Sequence, residues 1–100
     1  MANIESQVDL TRKLQTVEHD KIELVQQVVE VLRSIQSGNQ GELTVTLGSV
    51  VGLAYLLGVQ MGIAPHQIDH EIINGYRMAK ADGVSHADLE EVIEHLHNRI

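Results

Sequence analysis

Cysteine, phenylalanine and tryptophan are absent from this chain of 100 residues, which has one proline and two tyrosines, Tyr55 and Tyr76. Without cysteine there is no disulfide framework and no thiolate zinc site. Without Phe or Trp the core must be aliphatic, and so short a chain has little stability to spare; one small domain that shares its core with further copies is expected. Positive charge is also scarce, with 7 Lys and Arg against 14 Asp and Glu and a net charge of -7. Such a field repels phosphate backbones, so nucleic acid is excluded as a sequence-independent partner. No charged n-region precedes an apolar stretch, so no signal peptide is expected and the cytoplasm is the expected compartment.

What the chain does have is helical periodicity. Leu10, Leu14, Val17, Leu24, Val28, Val31 and Ile35 recur at steps of four and three, with Lys21 in the skipped position, which is the spacing of a heptad seam. A second row, Ile22, Val25, Val29 and Leu32, widens the apolar arc of the later half. His19-Asp20 is an expected cap or kink between two helices, since Asp20 can accept the free amides of a new first turn. Ser37 to Gly41, with two glycines and Asn39, stops the helix.

From Leu43 to Ile63 no residue is charged, and the stretch contains Gly48-x-x-x-Gly52 and Gly58-x-x-x-Gly62. Thr44, Thr46, Ser49, Gln60 and the lack of flanking Lys or Arg argue against a membrane span. The expectation is a helix buried on nearly all sides of a bundle, its glycines admitting close neighbours. Leu43-Thr44-Val45 is too short to decide between helix and extended chain. Gly62 to Pro65 breaks that helix, Pro65 suits a first helical position, and Ile68, Ile72, Ile73, Tyr76 and either Met78 or Ala79 form the inner side of the next. Asp82-Gly83 ends it, and Ser85-His86-Ala87-Asp88 starts a last helix with Leu89, Val92, Ile93, Leu96 and Ile100 at helical spacing. The fold class is therefore all-α, with four or five helices. The chain divides into an N-terminal helical segment 1–20, a core 21–83 and a C-terminal amphipathic helix 84–100.

Residues 24–83 carry a resemblance. Leu24 to Leu32 (LVQQVVEVL), Gly38-Asn39-Gln40-Gly41-Glu42, Leu47 to Val51 (LGSVV), Leu57 to Ile63 (LGVQMGI) and Asn74-Gly75-Tyr76-Arg77 together resemble the core of MazG-type all-α nucleotide pyrophosphohydrolases. The resemblance implies a MazG-like helical bundle completed by dimerisation. In that family one helix carries Glu-Glu-x-x-Glu and the next Glu-x-x-Asp, and the five carboxylates gather Mg²⁺ on the substrate's phosphates. The matching positions here are Gln26, Gln27, Glu30, Thr46 and Ser49, one acid among five. Amides and hydroxyls orient water and contact ligands, but they lack the charge that holds Mg²⁺, an ion slow to shed its water. Glu23 and the loop residue Glu42 are the nearest other acids, but Glu23 is expected on a different part of the helix and Glu42 lies four residues before Thr46. The resemblance also implies phosphate contacts from Asn74 and Arg77, with Lys80 one turn on, and their spacing of three sets all three on one side of a helix. Without the resemblance the same residues read as a solvated basic edge.

Six histidines are many for this length. His66 and His70 stand at i and i+4, and His95 and His97 lie near Glu91 and Glu94. Zinc-protease helices share the His-x-x-x-His spacing but need Glu where this chain has Gln67, so no metal site is expected. Three functions are compatible with these features. The first is a non-catalytic MazG-like binding and oligomerisation module, a dimer or tetramer without a cofactor, that binds a protein partner or sequesters a nucleotide-like ligand. The second is a residual Mg²⁺-dependent nucleoside triphosphate pyrophosphohydrolase. The third is a coiled-coil-like adaptor whose tail, with Asp88, Glu90, Glu91 and Glu94, offers an acidic surface.

Overall fold

A computed structural model describes residues 3–83 and 87–99, and their side chains from residue 6 onward. It contains four helices, α1 (Asn3–Ser37), α2 (Gln40–Gln60), α3 (Pro65–Ala81) and α4 (Ala87–Arg99), and no strand among the described residues. The all-α expectation holds. The helices group into two compact units, Met1–Met61 and Gly62–Ile100.

In the first unit α1 runs unbroken for 35 residues, about 52 Å at the helical rise. The expected break at His19-Asp20 does not occur. No Gly or Pro interrupts this stretch, and Asp20 lies in the helix interior with 7% of its surface exposed. Its carboxylate does not cap a first turn; Gln60 Nε2 of α2 donates to its Oδ2 at 2.8 Å. Gly38 ends α1 at a φ of 73°, a left-handed conformation that favours glycine, and its N–H bonds back to Ser34 O at 3.1 Å and Ile35 O at 3.2 Å. Asn39 then caps α2, its Oδ1 accepting the Glu42 N–H at 3.0 Å. Glu42 therefore belongs to the first turn of α2 and not to the loop, and Leu43-Thr44-Val45 is helical. With only two residues between the helices, α1 and α2 form an antiparallel hairpin whose open end is held by Asp20 and Gln60.

The less exposed side of α1 is Val17, Asp20, Leu24, Gln27, Val31 and Ser34, at steps of three and four. Val17, Leu24 and Val31 occupy the expected seam, but Val28 and Ile35 are exposed and Gln27 and Ser34 stand in their place. The second row is exposed too, with Val25 at 65% and Leu32 at 62%. From α2 the covered side is Leu43, Thr46, Val50, Leu53, Leu57 and Gln60. Within the single chain α2 is not buried on nearly all sides: Gly58 is its one buried residue, and Val45, Leu47, Val51, Leu56 and Val59 are exposed. A single neighbouring helix shields only one stripe of a cylinder. Nor do Gly48 and Gly52 admit a close neighbour here, since a Cβ added at either would meet open space. Among the described residues α2 is the one helix long and apolar enough to cross a membrane by length and composition.

The second unit is built on α3 and α4. Pro65 opens α3, where its missing amide costs nothing, and the Gln67 side chain folds back so that its Oε1 accepts the Ala64 N–H at 2.7 Å. Ile73 and Leu96 are buried, with Ile68, Ile72, Tyr76 and Ala79 half-buried around them. Of the two alternatives Ala79 faces inward, while Met78 is exposed; on α4 Val92 is also outside. Arg99 Nη2 reaches the buried Asp69 Oδ1 at 2.9 Å, so the one carboxylate in this core has a charge-matched donor. Gly83, at a φ of 91°, follows the end of α3 as expected. The expected helix start at Ser85-His86 and the last apolar position, Ile100, lie outside the described residues.

Candidate functional site

The side of α1 that meets α2 is polar at alternate steps. Asp20, Glu23, Gln27, Glu30 and Ser34 follow one another at three or four residues and share one helix face, beside Leu24 and Val31. Asp20 and Ser34 are buried, and Glu23, Gln27 and Glu30 are half-buried. Asp20 is held by Gln60 of α2, and the others have local partners. Gln27 Nε2 donates to Glu23 Oε1 at 3.2 Å, Ser34 Oγ donates to Glu30 O at 2.8 Å, and Arg33 Nη1 donates to Glu30 Oε1 at 2.8 Å. The Arg33–Glu30 pair is largely exposed, so it contributes about 0–1 kcal/mol and yields readily to a competing ligand.

Between the C-terminal half of α1 and the first turns of α2 lies a cleft of about 460 Å³, lined by Glu30, Ser34, Gly41, Glu42, Val45 and Thr46. Two of the five matched positions, Glu30 and Thr46, come together there. Gln27 stands one turn away on the same face of α1, whereas Gln26 is exposed and Ser49 is not part of the lining. Thr46 Oγ1 donates to Leu43 O at 3.2 Å and Ser49 Oγ to Val45 O at 3.1 Å, so both hydroxyl protons are directed to the carbonyls of their own helix. What Thr46 offers the cleft is therefore an acceptor.

The lining thus holds two carboxylates, two hydroxyls and no cation. Arg33, outside the lining, offsets one of the two carboxylates through its pair with Glu30. Among the described residues no three His, Asp or Glu side chains converge closely enough to hold a metal ion. Asn74, Arg77 and Lys80 belong to the other unit, where all three are exposed on α3. Lys80 Nζ is engaged by Glu90 Oε1 of α4 at 2.9 Å, a partner that spacing along α3 does not reveal.

Three features of this face escape a reading of apolar spacing: Ser34 and Val45 in the lining, and the Asp20–Gln60 link at the far end. The signal for the first and last is the polar row itself, since Asp20, Gln27 and Ser34 repeat at seven-residue intervals as the apolar seam does.

No curated protein and no solved structure matches the chain. A family model, that of the MazG-like family, matches residues 10–87, which takes in α1 from Leu10, the whole of α2 and α3, and the cleft between α1 and α2. By that match, over most of its length, the chain belongs to the MazG-like family.

Proposed function

We propose that this chain is a non-catalytic MazG-like module, a binding and oligomerisation scaffold in which the metal-gathering carboxylates have been replaced by neutral polar groups. One observation carries the reading: of Gln26, Gln27, Glu30, Thr46 and Ser49, only Glu30 is an acid. Mg²⁺ binds through carboxylates and the substrate's own phosphates, and one carboxylate does little to offset the loss of its hydration shell. Gln27 and Thr46 instead offer hydrogen bonds that need no ion, and the scaffold binds a protein partner or holds a nucleotide-like ligand without cleaving it. Asn74 and Arg77 are the candidate phosphate contacts, and Lys80 joins them on release from Glu90. Cytoplasmic location is part of the same proposal. Incubation with a panel of nucleoside triphosphates and Mg²⁺ or Mn²⁺ tests it, and no release of pyrophosphate above background is expected.

One feature favours the second reading, a residual pyrophosphohydrolase: Glu42 shares the cleft with Glu30, which brings two carboxylates to one place. Pyrophosphate release that requires a divalent ion and disappears in Glu30→Gln establishes that enzyme and ends the first reading.

The oligomer proposed is a dimer of hairpins. Ile22, Val25, Val29 and Leu32 of α1 and Val45, Val51 and Val59 of α2 are all exposed, more apolar surface than two packed helices can cover between them. A second hairpin completes a four-helix core, the simplest arrangement that buries such faces. Light scattering is expected to give twice the 11.1 kDa chain mass. Deleting residues 1–16, which removes Leu10 and Leu14 but keeps Asp20 and its bond from Gln60, is expected to leave the dimer intact. A folded, monomeric truncation places the association in the N-terminal seam instead.

A further inference from the structure

The first turn of α3 carries a feature that the cleft on α1 and α2 does not use. His66 and His70 stand one helical turn apart, both exposed, with ring centroids 6.3 Å apart and ring planes at 90°. Their frame is fixed by Pro65 at the first helical position and by the Gln67 Oε1 bond to the Ala64 N–H at 2.7 Å. We propose that His66 and His70 form a two-imidazole site for a late first-row divalent metal ion, Zn²⁺ being the probe of choice.

The geometry supports this. A zinc–nitrogen bond is about 2.0–2.1 Å, which puts each ring centre roughly 3.2 Å from the metal. Two rings on one ion then have centres about 5.2 Å apart at a tetrahedral angle and about 6.4 Å apart when opposed. The observed 6.3 Å is about 1 Å wider than a tetrahedral ion requires, and rotation of the two exposed side chains closes that gap without disturbing the Ile73 core. The donor type sets the class of ion: neutral imidazole suits zinc, nickel and copper, whereas magnesium and calcium seek oxygen. Asp69, between the two histidines in sequence, is engaged by Arg99 at 2.9 Å. The chain therefore supplies two ligands and leaves the other positions to water, so the ion is exchangeable. Bridging i and i+4, it ties together the first turn of a helix whose N-cap residue, Ala64, has no side-chain acceptor. His95 and His97, two residues apart on α4, point to different sides of their helix and form no such pair.

The 100-residue chain titrated with ZnCl₂, followed by calorimetry and by its thermal midpoint, tests the site. Saturable binding of one ion per chain at submillimolar concentration is expected, with the midpoint raised as zinc exceeds its dissociation constant. His66→Gln and His70→Gln are each expected to weaken binding roughly tenfold or more. His95→Gln with His97→Gln, and MgCl₂ in place of zinc, serve as controls expected to leave the zinc isotherm unchanged and to give no response. Circular dichroism confirms that the surface variants keep their helix content. No saturable binding overturns the proposal, and so does an unchanged isotherm in the His66→Gln, His70→Gln double variant, which means adventitious zinc elsewhere.

Discussion

Restoring the four missing carboxylates, as Gln26→Glu, Gln27→Glu, Thr46→Glu and Ser49→Asp, is expected to make the stability of the chain depend on Mg²⁺. Together with Glu30 the substitutions put five negative groups on the α1–α2 hairpin, those at 27, 30 and 46 in or beside the cleft, that at 26 exposed and that at 49 outside the lining. Two unit charges about 6 Å apart repel by roughly 3 kcal/mol at an effective dielectric constant near 20. Exposed Gln26 is screened, whereas half-buried Gln27 and Thr46 are screened less. A net loss of about 2–4 kcal/mol without metal follows, or roughly 10–20 °C in Tm for a domain of this size. Millimolar Mg²⁺ is expected to return most of that loss, because the ion then binds only the folded state. Melting curves with chelator and with Mg²⁺ measure both effects. A quadruple variant that melts like the native chain and ignores Mg²⁺ shows that the five positions do not converge.

Asp20→Ala is expected to be the most damaging single substitution on the polar row. Asp20 is 7% exposed and accepts from Gln60 Nε2 at 2.8 Å, while the other end of the same amide, Gln60 Oε1, is already buried without a hydrogen-bond partner. Removing the carboxylate leaves the amide unpaired at both ends, at a cost of about 1–3 kcal/mol and a fall in Tm of roughly 5–20 °C. The replacement of both partners behaves differently. Asp20→Leu with Gln60→Leu removes every buried polar group from this end of the hairpin and is expected to be as stable as the native chain or more so. Urea unfolding of Asp20→Leu, Gln60→Leu and the double variant gives the coupling between them. A native-like midpoint for Asp20→Ala contradicts the link.

The limits of α2 and α3 were legible because particular residues punctuate them: Gly38 and Asn39 before α2, Pro65 at the head of α3 and Gly83 after its end. The inner row of α3 was legible too, because Ile68, Ile72, Ile73 and Tyr76 face a side where no polar row competes. On α1 two rows compete. Val28 and Ile35 continue the apolar seam, while Gln27 and Ser34 continue a polar one a single residue away, and spacing does not say which row meets the neighbouring helix. The same ambiguity made Asp20 look like a cap, since its partner, Gln60, is forty residues distant. For α2 the apolar composition was clear, but burial depends on how many helices surround it, a property of the assembly. At the cleft, Glu30 and Thr46 followed from the frame of the family motif. Ser34 is signalled by the seven-residue polar row, whereas Val45 enters the lining only once α2 lies against α1, which no local pattern encodes.

The claim on which the functional proposal depends is that the cleft beside Glu30 does not hold a divalent ion. Mn²⁺, a paramagnetic substitute for Mg²⁺, broadens the amide resonances of residues near its binding site, so a titration of the unsubstituted chain reads that cleft directly. No saturable broadening of Glu30, Ser34, Glu42 or Thr46 is predicted up to millimolar Mn²⁺, with or without a nucleoside triphosphate. Broadening that saturates at micromolar Mn²⁺, is confined to those residues and disappears in Glu30→Gln would contradict it.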